Sequence, residues 1–276
     1  MKEKYTLRRI KLTVAYDGTN YCGWQIQPNG ITVEEVLNKK LSALTKEEIR
    51  VIGASRTDSG VHALGNVAVF DTRSSIPPER MALALNQKLP EDIVAVRSEE
   101  VPLTWHPRYQ SHISKTYEYH IYNARVANPL KQRTSTFVYV PLDVERMKKG
   151  AAYLTGEHDF ASFCCIRTNA EDTVRCIQKL EITASPCEEK MYDWDDRQAM
   201  EIVIRITGNG FLYNMVRIIA GTLIRVGRGF YEPAKVGEIL EAKIRTEAGV
   251  TAPPQGLVLM EIRYGEEKKG SGTEQL

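Results

Sequence analysis

Gly53-Ala54-Ser55-Arg56-Thr57-Asp58-Ser59-Gly60-Val61-His62-Ala63 is the stretch from which the rest of the chain can be read. It is flanked by glycines and separates two short strand-like runs, residues 48–53 and 64–71, the second carrying Val67, Val69 and Phe70. Upstream, residues 10–16 alternate apolar and polar side chains and stop at the turn pair Asp17-Gly18. Between them, residues 32–44 place Val33, Val36, Leu37, Leu41 and Leu44 at helical spacing, and Thr32 with Glu35 three positions on forms a capping box. Downstream, residues 78–89 predict a helix that begins at a proline, and residues 92–101 a strand. The order is strand, helix, strand, strand, helix, strand.

That order recurs. Residues 114–122 alternate as a strand, and 143–154 form a helix capped by Asp143. Residues 174–183 and 199–207 are strands around an acidic, loop-like insertion at 188–196. Residues 211–226 form a long apolar helix, 233–242 a shorter one, and 257–264 the last strand. Two βαββαβ units predict an α+β protein of two ferredoxin-like halves, 1–112 and 113–264. The halves share the order of elements and no visible identity. The Gly-, Lys- and Glu-rich tail at 265–276 reads as disordered.

Composition narrows the function. The 276 residues are 42% hydrophobic and 26% charged, and 37 Lys and Arg stand against 35 Asp and Glu, a net charge of +2. That balance argues against a polybasic protein. No apolar run approaches the roughly 18 residues of a membrane span, and the charged start lacks the apolar stretch of a signal peptide. The expectation is a cytoplasmic protein with no membrane partner. The five cysteines, Cys22, Cys164, Cys165, Cys176 and Cys187, are odd in number and contain no C-x-x-C pair. The five histidines show no H-E-x-x-H spacing. Neither a metal nor a cofactor is expected.

A plain hairpin has no need of Arg, Thr, Asp and His within the seven residues from Arg56 to His62. Such groups on a loop between rigid strands suit catalysis. The plain alternative is an Asp-Ser-Gly turn in which Asp58 bonds its own backbone. An aspartic-type hydrolase also uses a D-[TS]-G triplet, but it needs two carboxylates sharing a proton. This chain has one triplet; Asp17-Gly18-Thr19 is not a second.

The loop closely resembles the G-A-G-R-T-D-x-G-V-H-A motif of the tRNA pseudouridine synthase A family. Other blocks agree in order. Tyr16-Asp17-Gly18 with Tyr21, Gly23, Trp24 and Gln25 matches Y-D-G-x-x-Y-x-G-W-Q. Asn86, Leu89-Pro90 and Asp92-Ile93 match N-x-x-L-P-x-D-I. Lys115, Tyr117 and Tyr119 match K-x-Y-x-Y, and Gly156, His158-Asp159-Phe160 and Ser162-Phe163 match G-x-H-D-F-x-S-F. Phe211-Leu212, Asn214-Met215-Val216-Arg217 and Gly221 match F-L-x-N-M-V-R-x-x-x-G, and Pro253-Pro254, Gly256-Leu257 and Leu259 match the end. The resemblance spans residues 10–264. Ser55 departs from the family's usual Gly, and Trp105 from a common Phe.

The resemblance implies a pseudouridine synthase fold, with a central mixed and antiparallel sheet and an active-site cleft. It implies isomerisation of uridine to pseudouridine at positions 38–40 of the tRNA anticodon stem-loop, in a homodimer. Asp58 matches the family's nucleophile, with attack at C6 of the base or C1′ of the ribose left open. An ionised Asp58 in a dry pocket calls for a nearby cation. Arg217 lies in an apolar, buried helix and needs an anionic partner, so the two are expected to pair rather than Arg217 joining a solvated face. Arg56, two residues before Asp58, is placed to fill the space of a flipped base or hold phosphate. Tyr117 matches the substrate-binding tyrosine, expected to stack on the flipped base. His62 and Lys115 complete the expected substrate contacts. Trp24 and Gln25 read as support for the loop.

Three windows carry the positive charge. Residues 1–11 hold five cations against Glu3, residues 104–133 hold five against Glu118, and residues 203–230 hold four arginines and no acid. In the second, Trp105, Tyr109, Tyr117, Tyr119 and Tyr122 interleave with the cations, as suits a surface that tracks RNA. The windows are expected to converge around Asp58. A non-catalytic RNA-binding module of ferredoxin-like type is the second reading, but no RNP1 signature is present, and a binder has no use for the Asp58 loop.

Overall fold

Strand β1 (Arg8–Tyr16) buries Ile10, Leu12, Val14 and Tyr16 and turns Arg9, Lys11 and Thr13 to the other side, as a period of two requires. This computed structural model describes residues 6–165, 172–187 and 197–265. Helix α1 (Val33–Thr45) covers the apolar face with Val33, Leu37 and Leu41. The Thr32 hydroxyl accepts from Glu35 N at 3.3 Å, so the capping box forms. Strand β2 (Ile52–Gly53) pairs with β3 (His62–Thr72), and helix α2 (Met81–Asn86) leads to β4 (Ile93–Val101).

The second half supplies β5 (Ser114–Asn123), β6 (Thr136–Val138), α3 (Val144–Ala151), β7 (Gly156–Asp159), β8 (Val174–Pro186), β9 (Met200–Gly208), α4 (Met215–Gly227), α5 (Lys235–Ala242) and β10 (Leu257–Arg263). The strands run β4-β1-β3-β10-β5-β9-β8-β7, with β2 also on β3 and β6 also on β5. The fold is α+β. Within each half the neighbours follow the ferredoxin-like order: β4-β1-β3-β2, then β10-β5-β9-β8. All these pairs are antiparallel; β10 with β3 and β5 with β6 are parallel.

One sheet therefore spans both halves, and the seam places the site. β2 pairs with β3 at Val69 and Ala68, whereas β10 takes the same edge lower down, at His62 and Ala63. The chain between β2 and β3 leaves the sheet where one edge partner gives way to the other. On the far side of β10 lies β5, carrying Lys115 and Tyr117. The loop of the first half thus faces a strand of the second.

Several elements differ from expectation. The strand predicted over 48–53 shrinks to Ile52–Gly53, because polar side chains of α1 take its donors: Ile49 N bonds Ser42 Oγ and Val51 N bonds Asn38 Oδ1. The helix predicted over 78–89 is a 3-10 turn (Pro78–Arg80) and then α2 alone. Pro90 disfavours helix at Leu89, and the Asn86 side chain is tied to both backbone groups of Ala95. The helix predicted over 211–226 starts at Met215, since Asn214 takes a left-handed φ of 62°. The helix over 143–154 closes as a 3-10 turn after Ala151. β6 and β7 were not expected; three and four residues are too short to show a period. The insertion at 188–196, the first five residues and the tail from 266 lie outside the described residues. Among the described residues no helix is long and apolar enough to cross a membrane.

Candidate active site

The loop between β2 and β3 is held by backbone bonds at several points. Ala54 N donates to Val67 O at 2.7 Å, Trp24 N to Thr57 O at 3.0 Å, and Val61 N to Asp58 O at 3.1 Å. Gly23 adopts φ +84°, and a Cβ there would stand 2.6 Å from Thr57 O, so only glycine lets the Tyr21–Trp24 segment lie against the loop. Trp24 is buried against Gly53, as support. Gln25, expected to be support as well, lines the cleft instead.

Beneath the loop lies a buried polar layer. Asn66, fully buried, donates to Tyr16 Oη at 3.2 Å and to Ser55 O at 3.0 Å. Tyr16 Oη meets Thr57 Oγ1 at 2.7 Å. Ser55 Oγ meets Tyr117 Oη at 2.8 Å. Lys115 Nζ donates to Ala54 O at 3.1 Å. Residues 54, 55 and 57 are each fixed from below, which leaves Asp58 at the top. Its carboxylate does not cap its own turn. It faces Arg217 of α4, with Nη1 to Oδ2 at 3.4 Å.

Arg217 is itself held. Its Nε donates to Ala252 O at 2.7 Å and its Nη1 to Asn214 Oδ1 at 2.9 Å. Both partners of the pair are mostly buried, at 15% and 20% side-chain exposure. Burial pushes the Asp58 carboxyl above its ordinary value, and the charge and hydrogen bond of Arg217 pull it back. Lys115 is pushed down to about 8 by burial, with Arg108 adding repulsion. Tyr117 is pushed up to about 12 by burial, against the Ser55 bond and with the Asp58 charge.

These groups line a cleft of about 780 Å³, the size of a small-ligand site. Its cations are Arg56, Arg108, Lys115 and Arg175, with Arg217 beside Asp58 at its edge; its single acid among the described residues is Asp58. An aspartic dyad is therefore absent there. Arg56 is exposed and has no bonding partner among the described residues. Tyr117 presents an aromatic wall with Phe211, their rings 5.2 Å apart and edge to face.

His62 is not brought to the cleft. It is buried, with Nε2 2.8 Å from the Arg133 carbonyl and Nδ1 3.0 Å from both Gly18 N and Asp17 Oδ1, which ties three segments of scaffold together. The basic windows converge only in part. Arg8, Arg9 and Lys11 pair with Glu100, Asp71 and Glu99 and do not line the cleft: the alternation of β1 sends Arg9 and Lys11 to the opposite face, and Arg8 is tied to the carbonyls of Ser74 and Ile76. Lys2 and Lys4 lie outside the described residues. Lys131 pairs with Glu201, and Arg225 and Arg228 stack on Tyr231 and Phe230 at the far end of α4. Most of the interleaved aromatics are core: Tyr119 and Tyr122 are buried, and Trp105 packs on Tyr264 under Lys11. Tyr109 alone of the five is largely exposed. Arg175, Phe211 and Asn214 join the site without having been chosen for it from sequence composition. Arg175 lies near the start of β8, outside the motif blocks, and no local signal marks it.

A sequence model described as tRNA pseudouridine synthase matches residues 12–110 and 151–265. The chain belongs to the tRNA pseudouridine synthase family. A relative from Exiguobacterium sibiricum, named tRNA pseudouridine synthase A, is 44% identical over 264 residues, covering 96% of this chain and all of the relative. Relatives of the same name from a Thermoanaerobacter species and from Ruminiclostridium cellulolyticum are 46% and 47% identical over 258 residues, covering 94% of this chain and all of theirs. Asp58, Lys115 and Arg217 lie far apart in sequence, and they meet at this cleft.

Proposed function

We propose that the protein isomerises uridine to pseudouridine in tRNA, at positions 38–40 of the anticodon stem-loop, with Asp58 as nucleophile. The reaction breaks the bond between N1 and C1′, forms one between C5 and C1′, and exchanges the C5 proton for one on N1. It needs no net oxidant or energy source. A carboxylate that forms a covalent adduct divides this into two easier steps. The observation that carries the reading is the placement of Asp58: among the described residues the one acid of a cationic cleft, 3.4 Å from a guanidinium fixed by two further bonds. Arg217 keeps the carboxylate ionised against its burial.

The target base is stacked and must be flipped, at a cost of a few kcal/mol. Arg56, beside Asp58 and without a partner among the described residues, takes the vacated space or a phosphate. Tyr117 packs on the flipped base, and Lys115 and Arg108 receive the backbone. His62 serves the substrate indirectly, by holding the scaffold at Gly18. In this reading residues 1–112 supply the nucleophile loop and residues 113–264 the opposing wall. The working form is a cytoplasmic homodimer with tRNA laid across two subunits.

The test is the Asp58→Asn protein on an anticodon stem-loop RNA. Pseudouridine, mapped by primer extension, is expected to vanish while RNA binding persists. Wild-type turnover in that variant would sink the proposal.

A further inference from the structure

Ser55 and Tyr117 come from opposite halves of the sheet and meet at their hydroxyls. Ser55 lies two residues after the end of β2, Tyr117 in β5, and their oxygens are 2.8 Å apart. Both residues are buried, at 6% and 7% exposure, so neither hydroxyl has bulk water as an easy alternative. Among the described residues neither side chain has a second hydrogen-bond partner. Lys115 also joins β5 to this loop, but among the described residues no other bond of the layer reaches the Tyr117 hydroxyl. Asn66 holds the Ser55 carbonyl, Tyr16 holds Thr57, and Lys115 holds the Ala54 carbonyl. The backbone of the loop is thus already fixed without the Ser55 hydroxyl. That side chain has one task left, and the task concerns Tyr117.

The direction of the bond follows from charge. A phenol has one proton and two lone pairs, and so does an aliphatic hydroxyl. The Asp58 carboxylate lies close enough to Tyr117 to act on it electrostatically. A nearby negative charge favours turning the phenolic proton toward the cleft, and Ser55 then donates to the phenol oxygen. Edge-to-face packing on Phe211 fixes the tilt of the ring, and the Ser55 bond fixes its reach along the cleft wall.

We propose that Ser55 is a positioning residue for Tyr117: by donating to the phenol oxygen it sets the ring against the bound nucleoside and leaves the phenolic proton free for a polar atom of that nucleoside. The proposal rests on the reading of Tyr117 as a substrate contact.

Ser55 is not in the left-handed region, so Ser55→Ala removes the hydroxyl without backbone strain. With anticodon stem-loop RNA, single-turnover rate in Ser55→Ala is expected to fall about tenfold, the scale of one hydrogen bond, with RNA affinity unchanged. In a Tyr117→Phe background the same substitution is expected to do nothing more. Equal losses in both backgrounds, or a wild-type rate in Ser55→Ala, overturn the proposal. Ser55→Gly is run beside it, so that one misfolded variant does not decide the matter. A second arm needs no turnover. In protein labelled at tyrosine Cζ, the Tyr117 carbon resonance is expected to move in Ser55→Ala without RNA; an unmoved resonance overturns the bond itself. If the wild-type protein makes no pseudouridine, the reading of the reaction has failed, and the resonance arm still decides the Ser55–Tyr117 bond.

Discussion

The two sides of the sheet use the same residue types to opposite ends. On the side that β1 turns away from its apolar core, cations and acids are matched: Arg9 with Asp71, Lys11 with Glu99, Arg205 with Glu118, Lys179 with Glu181. In the cleft, Arg56, Arg108, Lys115 and Arg175 share, among the described residues, one carboxylate, which Arg217 already occupies. A surface whose charges are matched nearby has little left for a polyanion. A cleft with surplus cations keeps its field, and a phosphate backbone can neutralise it with release of counterions. The net charge of +2 is the sum of these two arrangements and describes neither.

The contrast can be broken most severely at Asp58. Asp58→Asn is expected to lower pseudouridine formation by about 10⁴-fold or more, the scale seen when a covalent nucleophile is removed. Removing its partner comes next. Arg217→Met leaves the carboxyl buried without its cation, so turnover at neutral pH is expected to fall by about a hundredfold. The sign also shows in a pH profile. Asp58 must be ionised, and kcat/KM falls as pH drops through a value raised above the ordinary one for an aspartate; in Arg217→Met that acid limb moves to higher pH.

Lys115 sets the other limb. Its pKa of about 8 means that the free enzyme loses this charge as pH rises, so kcat/KM is expected to decline above about pH 8. Lys115→Arg, charged throughout, is expected to push that decline upward. Stability runs the other way. The folded state holds this proton less tightly than the unfolded chain, so the Lys115 contribution to stability improves as pH rises from about 8 toward 10.5.

Surface contacts give smaller effects that sharpen the comparison. Arg108→Ala and Arg175→Ala are each expected to weaken tRNA binding and to lower the slope of log affinity on log salt by about 1. Lys11→Ala, on the matched side, is expected to change neither. Smallest is Arg9→Ala. The bidentate pair with Asp71 (2.7 and 2.8 Å) is partly exposed, so thermal unfolding should report a loss of about 0.5 kcal/mol or less, with activity intact.

Legibility followed the range of the interaction. The Thr32 cap, the β1 alternation and the apolar stripe of α4 act within a few residues, and all were readable. The lost strand at 48–51 was not, because Ser42 and Asn38 reach across from a helix to take its donors. Tyr119 and Tyr122 read as stacking positions because composition does not say which face of β5 is covered. His62 sits in a motif dense with chemistry and is nonetheless a brace, since its three polar neighbours, Gly18, Asp17 and Arg133, come from other segments.

By itself the sequence determined the order of elements, the Asp58 loop between two strands, and the need of Arg217 for an anion, because periodicity, turn chemistry and the cost of burying a lone charge are local rules. The tertiary structure decided which cations remain unmatched. Lys11 and Lys115 are alike in sequence, each a lysine in an alternating strand. Only the register of the neighbouring strands places Glu99 beside the first and an open cleft beside the second.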